Sequence, residues 1–329
     1  MNFRFNNNFN NNFNNKPIPK QSMMLESNRI ILKSYNEPII TDMAVLLVYF
    51  NPCNYNRIIQ NALTVKHLFD SANIPYFITE IQFNENKFFF IPADNIFQYR
   101  SNSYMFYKEN LITTMEKRIP EKFTKICIID FDIFFDNSNW YSIISEKLNS
   151  VSVTQPFMRL YYLNLDYTIL NVKTNSLDNK TTNPIDYALE HSGFIWAFDR
   201  TWLNNYNLDD KYLTAMGDSI LANNITKRSY YGLGEKLYYK YSSNKPNLEK
   251  INYDSCNLNI YHLNHGSINN RQYSSINQIF YNVFIKFKIN CIDDVYTRRE
   301  DNILEWSPKY ITVLNDIMLK YFNDRLDDT

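Results

Sequence analysis

The chain has 329 residues, 45% of them apolar and 16% aromatic, enough to bury a substantial core in one large domain or two modest ones. Lys and Arg number 34 and Asp and Glu also 34, so no broad positive footprint for nucleic acid exists. No apolar run approaches the ~20 residues of a membrane-spanning helix, and no apolar stretch with a small-residue cleavage site opens the chain, so neither a membrane span nor a secretory signal is expected.

Residues 1–22, MNFRFNNNFNNNFNNKPIPKQS, repeat Asn and Phe without a helix or strand period and are expected to form a disordered Asn-rich tail. MAVLLVYFNP (43–52) is a short apolar run ended by Asn-Pro, which predicts a buried strand followed by a turn. Residues 55–72 set Ile58, Ile59, Ala62, Leu63, Val65, Leu68 and Phe69 on one broad helical face. IPYFITEIQF (74–83) predicts a second strand, and 105–119 a second helix stopped by Pro120. KICIID (125–130) is apolar on both faces, as a strand in the middle of a parallel sheet must be. The β-α-β-α-β order predicts an α/β fold with helices on both faces of the sheet.

Beyond residue 140 the pattern loosens. Strands are expected at 150–157, 193–199 and 258–263, a short helix at 215–225, a helix from about 270 to 289, and an amphipathic stretch at 303–326. No repeat and no linker divides the chain, which points to one domain over residues 23–329. Cys53, Cys127, Cys256 and Cys291 are scattered without a CxxC pair and are expected to be free thiols in a reducing, cytoplasmic compartment. The sequons at Asn179 and Asn224 carry little meaning without a secretory route.

Asp130 and Asp132 end the KICIID strand, where parallel α/β sheets bind ligands. Residues two apart in extended backbone point to the same side, so both carboxylates can face one site while Phe131 packs behind. Two close carboxylates repel unless a cation sits between them, and Mg²⁺ and Mn²⁺ prefer carboxylate and phosphate oxygens. The pair therefore predicts a metal–diphosphate platform, although the same spacing also occurs in solvated acids. Three further clusters hold three of the five glycines: EHSGFIWAFDR (190–200) with Gly193, AMGDSIL (215–221) with Gly217 and Asp218, and YHLNHGSINNRQY (261–273) with His262, His265, Gly266 and Arg271. In a chain rich in Asn, Tyr and Lys, each glycine stands out. A histidine can complete a Mn²⁺ shell, and Arg271 can fork onto phosphate oxygens.

The ordered set resembles the GT-A glycosyltransferases. YKENLITTMEKRIPEKFTKICIIDFDIFFDNSNW, HSGFIWAFDR, GDS and HLNHGSINNRQY are similar to a group of GT-A-like proteins from giant DNA viruses and some phages and bacteria, over about Ala44 to Tyr273. The resemblance implies a GT-A-like (Rossmann-like) mixed, mainly parallel sheet flanked by helices in a single domain, with a nucleotide-binding half at about 43–140 and an acceptor half with C-terminal helices at 141–329. It implies Mn²⁺ or Mg²⁺, a nucleotide-sugar donor (a UDP- or GDP-sugar) and a glycan or protein hydroxyl as acceptor. A viral protein of this kind would work in the host cytoplasm or the virion.

By the same resemblance Asp132 would bind metal directly, Asp130 would bind ribose or sugar hydroxyls or the metal through water, and His262 or His265 would be the third protein ligand. Asp218 is the candidate general base of an inverting transfer, and equally a helix N-cap. Tyr49, Phe50 and Asn51 follow the first strand, where such folds stack and read the base. Arg57 is a candidate phosphate contact, and Lys108 with Glu109 a donor clamp or a surface pair. Trp140, Trp196, His67 and His191 are expected to be structural. Two positions depart from the pattern: Tyr107 stands where Trp is expected, and Ser275-Ile276-Asn277 where an Arg is expected. Two other functions compete. IIDFDIFF superficially fits a haloacid-dehalogenase-like phosphotransferase, but Phe134 stands where that fold usually has Thr, Ser or Val, and strands precede this one. The other is a non-catalytic carbohydrate-binding or structural protein.

Overall fold

The computed structural model describes residues 29–177, 190–227, 232–244 and 251–329; the Asn-rich tail at 1–22 and the sequon at Asn179 lie outside them. The first part runs β1 (Met43–Tyr49), α1 (Asn56–Ser71), β2 (Tyr76–Phe83), β3 (Ile96–Ser101), α2 (Lys108–Glu116), β4 (Lys125–Ile129), β5 (Ile133–Phe135) and α3 (Trp140–Lys147). The second part runs β6 (Val153–Gln155), β7 (Arg159–Leu163), β8 (Ile169–Asn175), β9 (Glu190–His191), β10 (Ile195–Asp199), α4 (Arg200–Tyr206), α5 (Gly217–Thr226) and α6 (Leu233–Tyr241). It closes with β11 (Tyr253–Ser255), β12 (Asn259–His262), α7 (Tyr273–Lys286), β13 (Tyr296–Arg298), β14 (Leu304–Trp306) and α8 (Ile311–Asp324).

Among the described residues a seven-stranded sheet has the order β11-β6-β10-β4-β1-β2-β3. β4, β1, β2 and β3 are parallel, and β10 is antiparallel to β4 and β6. The expected mixed, mainly parallel sheet flanked by helices in one domain is what forms. Alternation along the strands sorts the core. Val45, Leu47, Cys127 and Ile129 pack with Phe69 and Trp140 on one face, and Ala44, Leu46, Ile126 and Ile128 with Met115 and Trp196 on the other. Burying each large apolar side chain contributes about 1.5–3 kcal/mol, and the one charged side chain of the two central strands, Lys125, is buried against Asp42 Oδ2 at 2.7 Å. Trp140, stacked on Phe135 at 4.3 Å, and Trp196 are core residues as expected, and none of the four cysteines forms a disulfide. No helix among the described residues is long and apolar enough to cross a membrane.

A second sheet, β5-β12-β7-β8-β9, leans against the first. Apart from β12, expected at 258–263, its strands were the least visible in sequence: β8 is mostly exposed and has no apolar alternation to announce it. β3 escaped notice for a related reason, being a half-buried edge strand. Helix 105–119 is shorter than expected, at Lys108–Glu116. The stretch 270–289 splits at Gln272, whose φ of 46° ends a short 3₁₀ turn before α7. The stretch 303–326 is strand β14 and then helix α8.

The junction of the two sheets forms the site. The KICIID strand stops at Ile129, one residue short of the acids, and Asp130 to Asp132 form a turn rather than extended backbone. Asp130 N donates to Phe194 O at 2.9 Å and Ile133 N donates to Asp130 O at 3.2 Å. The chain then leaves the first sheet and enters the second as β5, so the two acids straddle the crossing.

Candidate active site

A cleft of about 1070 Å³ opens over the carboxyl ends of β1 and β4. Asp130, Asp132, His262 and His265 form what we call its floor, and Tyr49, Phe50, Asn51, Lys108, Asp218 and His191 also line it. A crevice at that edge is where open α/β sheets hold ligands.

Backbone pairing builds the floor. β12 pairs antiparallel with β5, with His262 opposite Ile133, and Leu263 N donates to Asp132 O at 2.8 Å. That register holds the Asp132 side chain beside His262, and the loop after β12 folds His265 back onto the same spot. Asp132 Oδ2 is 2.7 Å from His265 Nε2 and 3.4 Å from His262 Nε2, and the two Nε2 atoms are 3.2 Å apart. The three residues offer ligand atoms all within 4.8 Å of one another. Asp132 Oδ1 is buried without a hydrogen-bond partner, a costly state for a carboxylate oxygen unless something else meets it. Burial works against the Asp132 charge, but His262 and His265 outweigh it and hold the carboxyl well below its usual range. Burial pushes His262 down, ahead of the opposing pull of Asp132, so its ring stays neutral and keeps a lone pair. A set of one carboxylate and two imidazoles fits a divalent ion, and its nitrogens suit Mn²⁺, Fe²⁺ or Zn²⁺ better than Mg²⁺. Sequence reasoning left His262 and His265 as alternatives; geometry brings both together. Asp130 is not one of the three.

Asp130 belongs instead to a second group. Lys108 Nζ lies 2.8 Å from Asp130 Oδ1 and 2.9 Å from Asp218 Oδ2. Burial raises the Asp130 carboxyl to about 6, against the lowering by Lys108 and with Asp218 and Asp132 adding repulsion. Burial alone would push Lys108 down, but the two carboxylates carry it well above its usual range. Asp218 is not a helix N-cap: α5 is capped by Met216 without a side-chain bond, and the Asp218 carboxylate turns to Lys108.

The glycine clusters find their reason here. A Cβ on Gly217 would lie 2.0 Å from Glu109 Oε1, and one on Gly193 would lie 3.3 Å from Asp218 Oδ2. Glu109 is thus not half of a surface pair; it lines the cleft with its side chain buried under the first turn of α5. Burial first, and then the Asp218 charge, raise its carboxyl to about 8, so it is mostly protonated at neutral pH. A carboxyl whose folded pKa is raised contributes stability fully below its unfolded value near 4.5 and loses it as pH rises through about 8. Glu109→Gln is therefore expected to melt like the parent near pH 4.5 and above it by pH 8.5, with a gap of the order of a few kcal/mol. Thermal melts of both proteins across that range check it; parallel curves would contradict the assignment.

The other expected residues divide. Tyr49 lines the cleft, its ring stacked 5.3 Å from Phe89, and Phe50 stands edge-on to Phe106 at 6.2 Å. The Asn51 side chain is occupied locally, accepting from Tyr55 N and donating to Tyr55 O, each at 2.9 Å, so it holds the turn into α1. Arg57 is not brought to the cleft: its guanidinium bonds Gln60 one turn along, and its backbone N donates to Asp328. Arg271 does reach the floor, with Nη2 2.8 Å from His265 Nδ1 and 3.0 Å from His265 O. His67 is exposed on α1. His191, stacked on Phe194 at 4.2 Å, lines the cleft and accepts from Gly193 N at 3.0 Å; burial lowers it to about 3 and keeps it neutral.

One residue escaped sequence reasoning altogether. Asp327 is 1% exposed and meets His265, Arg271 and Arg325. Its setting in RLDDT looks like a solvated acidic pair, and the only hint was Gly266. With φ of 76° that glycine brings its loop against the segment, where a Cβ would stand 2.9 Å from Asp327 Cα.

In sequence, no known protein family and no curated protein matches this chain. In three dimensions it is similar to several solved structures. The catalytic domain of Drosophila β1,4-galactosyltransferase 7 in complex with xylobiose is 13% identical over 57% of this chain and 62% of that one, under two thirds of its length, with a TM-score of 0.33. S. aureus TarS (residues 1–349) is 10% identical over 86% of this chain and 71% of that one, with a TM-score of 0.39. Glucosyl-3-phosphoglycerate synthase from Mycobacterium tuberculosis, in complex with Mn²⁺, uridine diphosphate and phosphoglyceric acid, is 10% identical over 82% of this chain and 87% of that one, with a TM-score of 0.37. Likeness at these levels carries no argument about what this chain acts on.

Proposed function

We propose that this chain is a metal-dependent glycosyltransferase of GT-A-like build, moving a sugar from a nucleotide-sugar donor, a UDP- or GDP-sugar, to a hydroxyl of a glycan or protein acceptor. One observation carries the reading: Asp132, His262 and His265 converge at the cleft floor with an unpartnered carboxylate oxygen, and Lys108 ties the neighbouring Asp130 to Asp218. Mn²⁺ held by those three residues would supply positive charge where a departing diphosphate gathers negative charge.

The chain's own residues supply the rest. Tyr49 and Phe50 form an aromatic wall at the end where a base would stack. Asp130, fastened by Lys108, is set to accept from a ribose or sugar hydroxyl. Arg271 can fork onto phosphate oxygens by leaving His265. Asp218 accepts the proton of the acceptor hydroxyl in an inverting transfer, with Lys108 fixing its orientation. The acid pair thus works as a DxD motif whose two members have different tasks. Scattered cysteines that form no disulfide fit a reducing setting such as a cytoplasm or a virion, in keeping with the resemblance to viral proteins. No feature of the site favours a phosphotransferase or a binding protein without turnover.

The test is a panel of UDP-, GDP- and dTDP-sugars, each with and without Mn²⁺. One donor is expected to raise the melting temperature in a Mn²⁺-dependent way, because a ligand of the native state stabilises it by mass action, and to be hydrolysed slowly. No shift and no hydrolysis across the panel would remove the reading.

A further inference from the structure

We infer that Asp327 is a positioning residue for the metal centre, accepting a hydrogen bond from the Nδ1–H of His265 and so presenting the Nε2 lone pair to the ion. The inference rests on the metal site proposed above and adds a residue outside the sequence motifs.

His265 stands between two carboxylates. Its Nε2 faces Asp132 Oδ2 at 2.7 Å, and its Nδ1, on the other side of the ring, lies 3.3 Å from Asp327 Oδ1. Asp327 is buried, and its Oδ2 has Arg325 Nε at 3.0 Å. Its Oδ1 has no aligned hydrogen bond; the donors near it are His265 Nδ1 and Arg271 Nη2, the latter at 3.5 Å. A buried carboxylate oxygen left without a donor is costly, so this one is poised to accept a hydrogen bond. The segment is also held in place. Gly266 lets the His265 loop touch the Asp327 backbone, and Asp328 accepts from Arg57 N at 2.8 Å at the start of α1.

A neutral imidazole carries one N–H, and only the tautomer protonated at Nδ1 leaves Nε2 free to bind a cation. The two neighbours of Nδ1 pull opposite ways. Arg271 can only donate; its Nη2 stands 2.8 Å from Nδ1 and 3.1 Å from Nε2, so it opposes a proton on Nδ1 without fixing the tautomer. Asp327 can only accept, and it draws the proton to Nδ1. When an ion takes the Nε2 lone pair, the ring proton must sit on Nδ1, and there Asp327 is the neighbour that can accept it. Orienting carboxylates of this kind typically change metal affinity by about 10–100-fold.

Calorimetric titration with Mn²⁺ tests this on the whole chain. Asp327→Asn is expected to weaken Mn²⁺ binding by about 10–100-fold. In a His265→Ala background the same substitution is expected to add no further loss, because the effect passes through that ring. Unchanged affinity in Asp327→Asn, or an equal further loss on top of His265→Ala, would overturn the inference and leave the metal site standing. Absence of Mn²⁺ binding by the parent chain would overturn the metal site itself. Should Asp327→Asn fail to fold, the parent protein answers alone: with Zn²⁺ as a diamagnetic probe, ¹H–¹⁵N correlation of the His265 ring is expected to show the proton on Nδ1. A proton on Nε2 would overturn the inference.

Discussion

Asp132→Asn is expected to abolish Mn²⁺-dependent donor hydrolysis and transfer, by at least about 10³-fold, with the Mn²⁺-dependent rise in melting temperature lost as well. The side chain keeps its shape but loses the charge that His262 and His265 surround at 3.4 and 2.7 Å. Two imidazoles and an amide form a poor shell for Mn²⁺, which favours an anionic oxygen. The fold should survive, because Leu263 N still bonds the residue 132 carbonyl and that bond ties β12 to the turn. Metal-independent melting should therefore move much less than the metal-dependent shift. A variant that still binds Mn²⁺ and turns over at a tenth of the parent rate would rule out Asp132 as the anchoring ligand.

Lys108→Met is expected to cost both activity and stability. Lys108 is the cation between Asp130 and Asp218, whose side chains are 30% and 27% exposed. Breaking a buried ion pair by removing one partner costs ~3–5 kcal/mol, and with both acids partly in water a loss nearer ~2 kcal/mol is expected here. Transfer should fall at least about 100-fold, since Asp218 loses the contact that aims it. The pH dependence has a definite sign in the metal-free protein. Asp130 already has a carboxyl raised to about 6 with Lys108 opposing the shift, and without the lysine it rises further. Stability from such a group is full at low pH and lost as pH rises through its folded value. The melting gap between variant and parent should thus be small near pH 4 and widen toward pH 8. Adding Asp218→Asn should recover much of the stability and none of the transfer. Full activity in Lys108→Met would remove the lysine from the site.

Both predictions concern residues that differ in how they could be found. Asp132 announced itself through the apolar run before it, and His262, His265, Asp218 and Arg271 through glycines set in an otherwise glycine-poor chain. What linked Lys108 to two acids, 22 and 110 positions away, had no local signature: its neighbours read equally as a surface helix. Arg57 failed as a phosphate contact because a helix start fixes only spacing, and the Asn51 turn directs that face of α1 toward Asp328. Asn51 itself was spent on the turn. Glu109 looked like half of a surface pair, and only the close approach of Gly217 shows it buried.

The alternation and length of the apolar runs determined the strands β1, β2 and β4 and helix α1 between them, because a residue's burial in a sheet or helix follows from its period. They also determined that the chain would build a parallel half with acids at its carboxyl edge. Tertiary structure decided that the acids part company. The crossing from β4 into β5 sends Asp132 to two histidines across a strand pair, while Asp130 stays with Lys108. The physical reason is range: local periodicity encodes which face of an element is dry, whereas which charges meet is set by the register between elements remote in the chain.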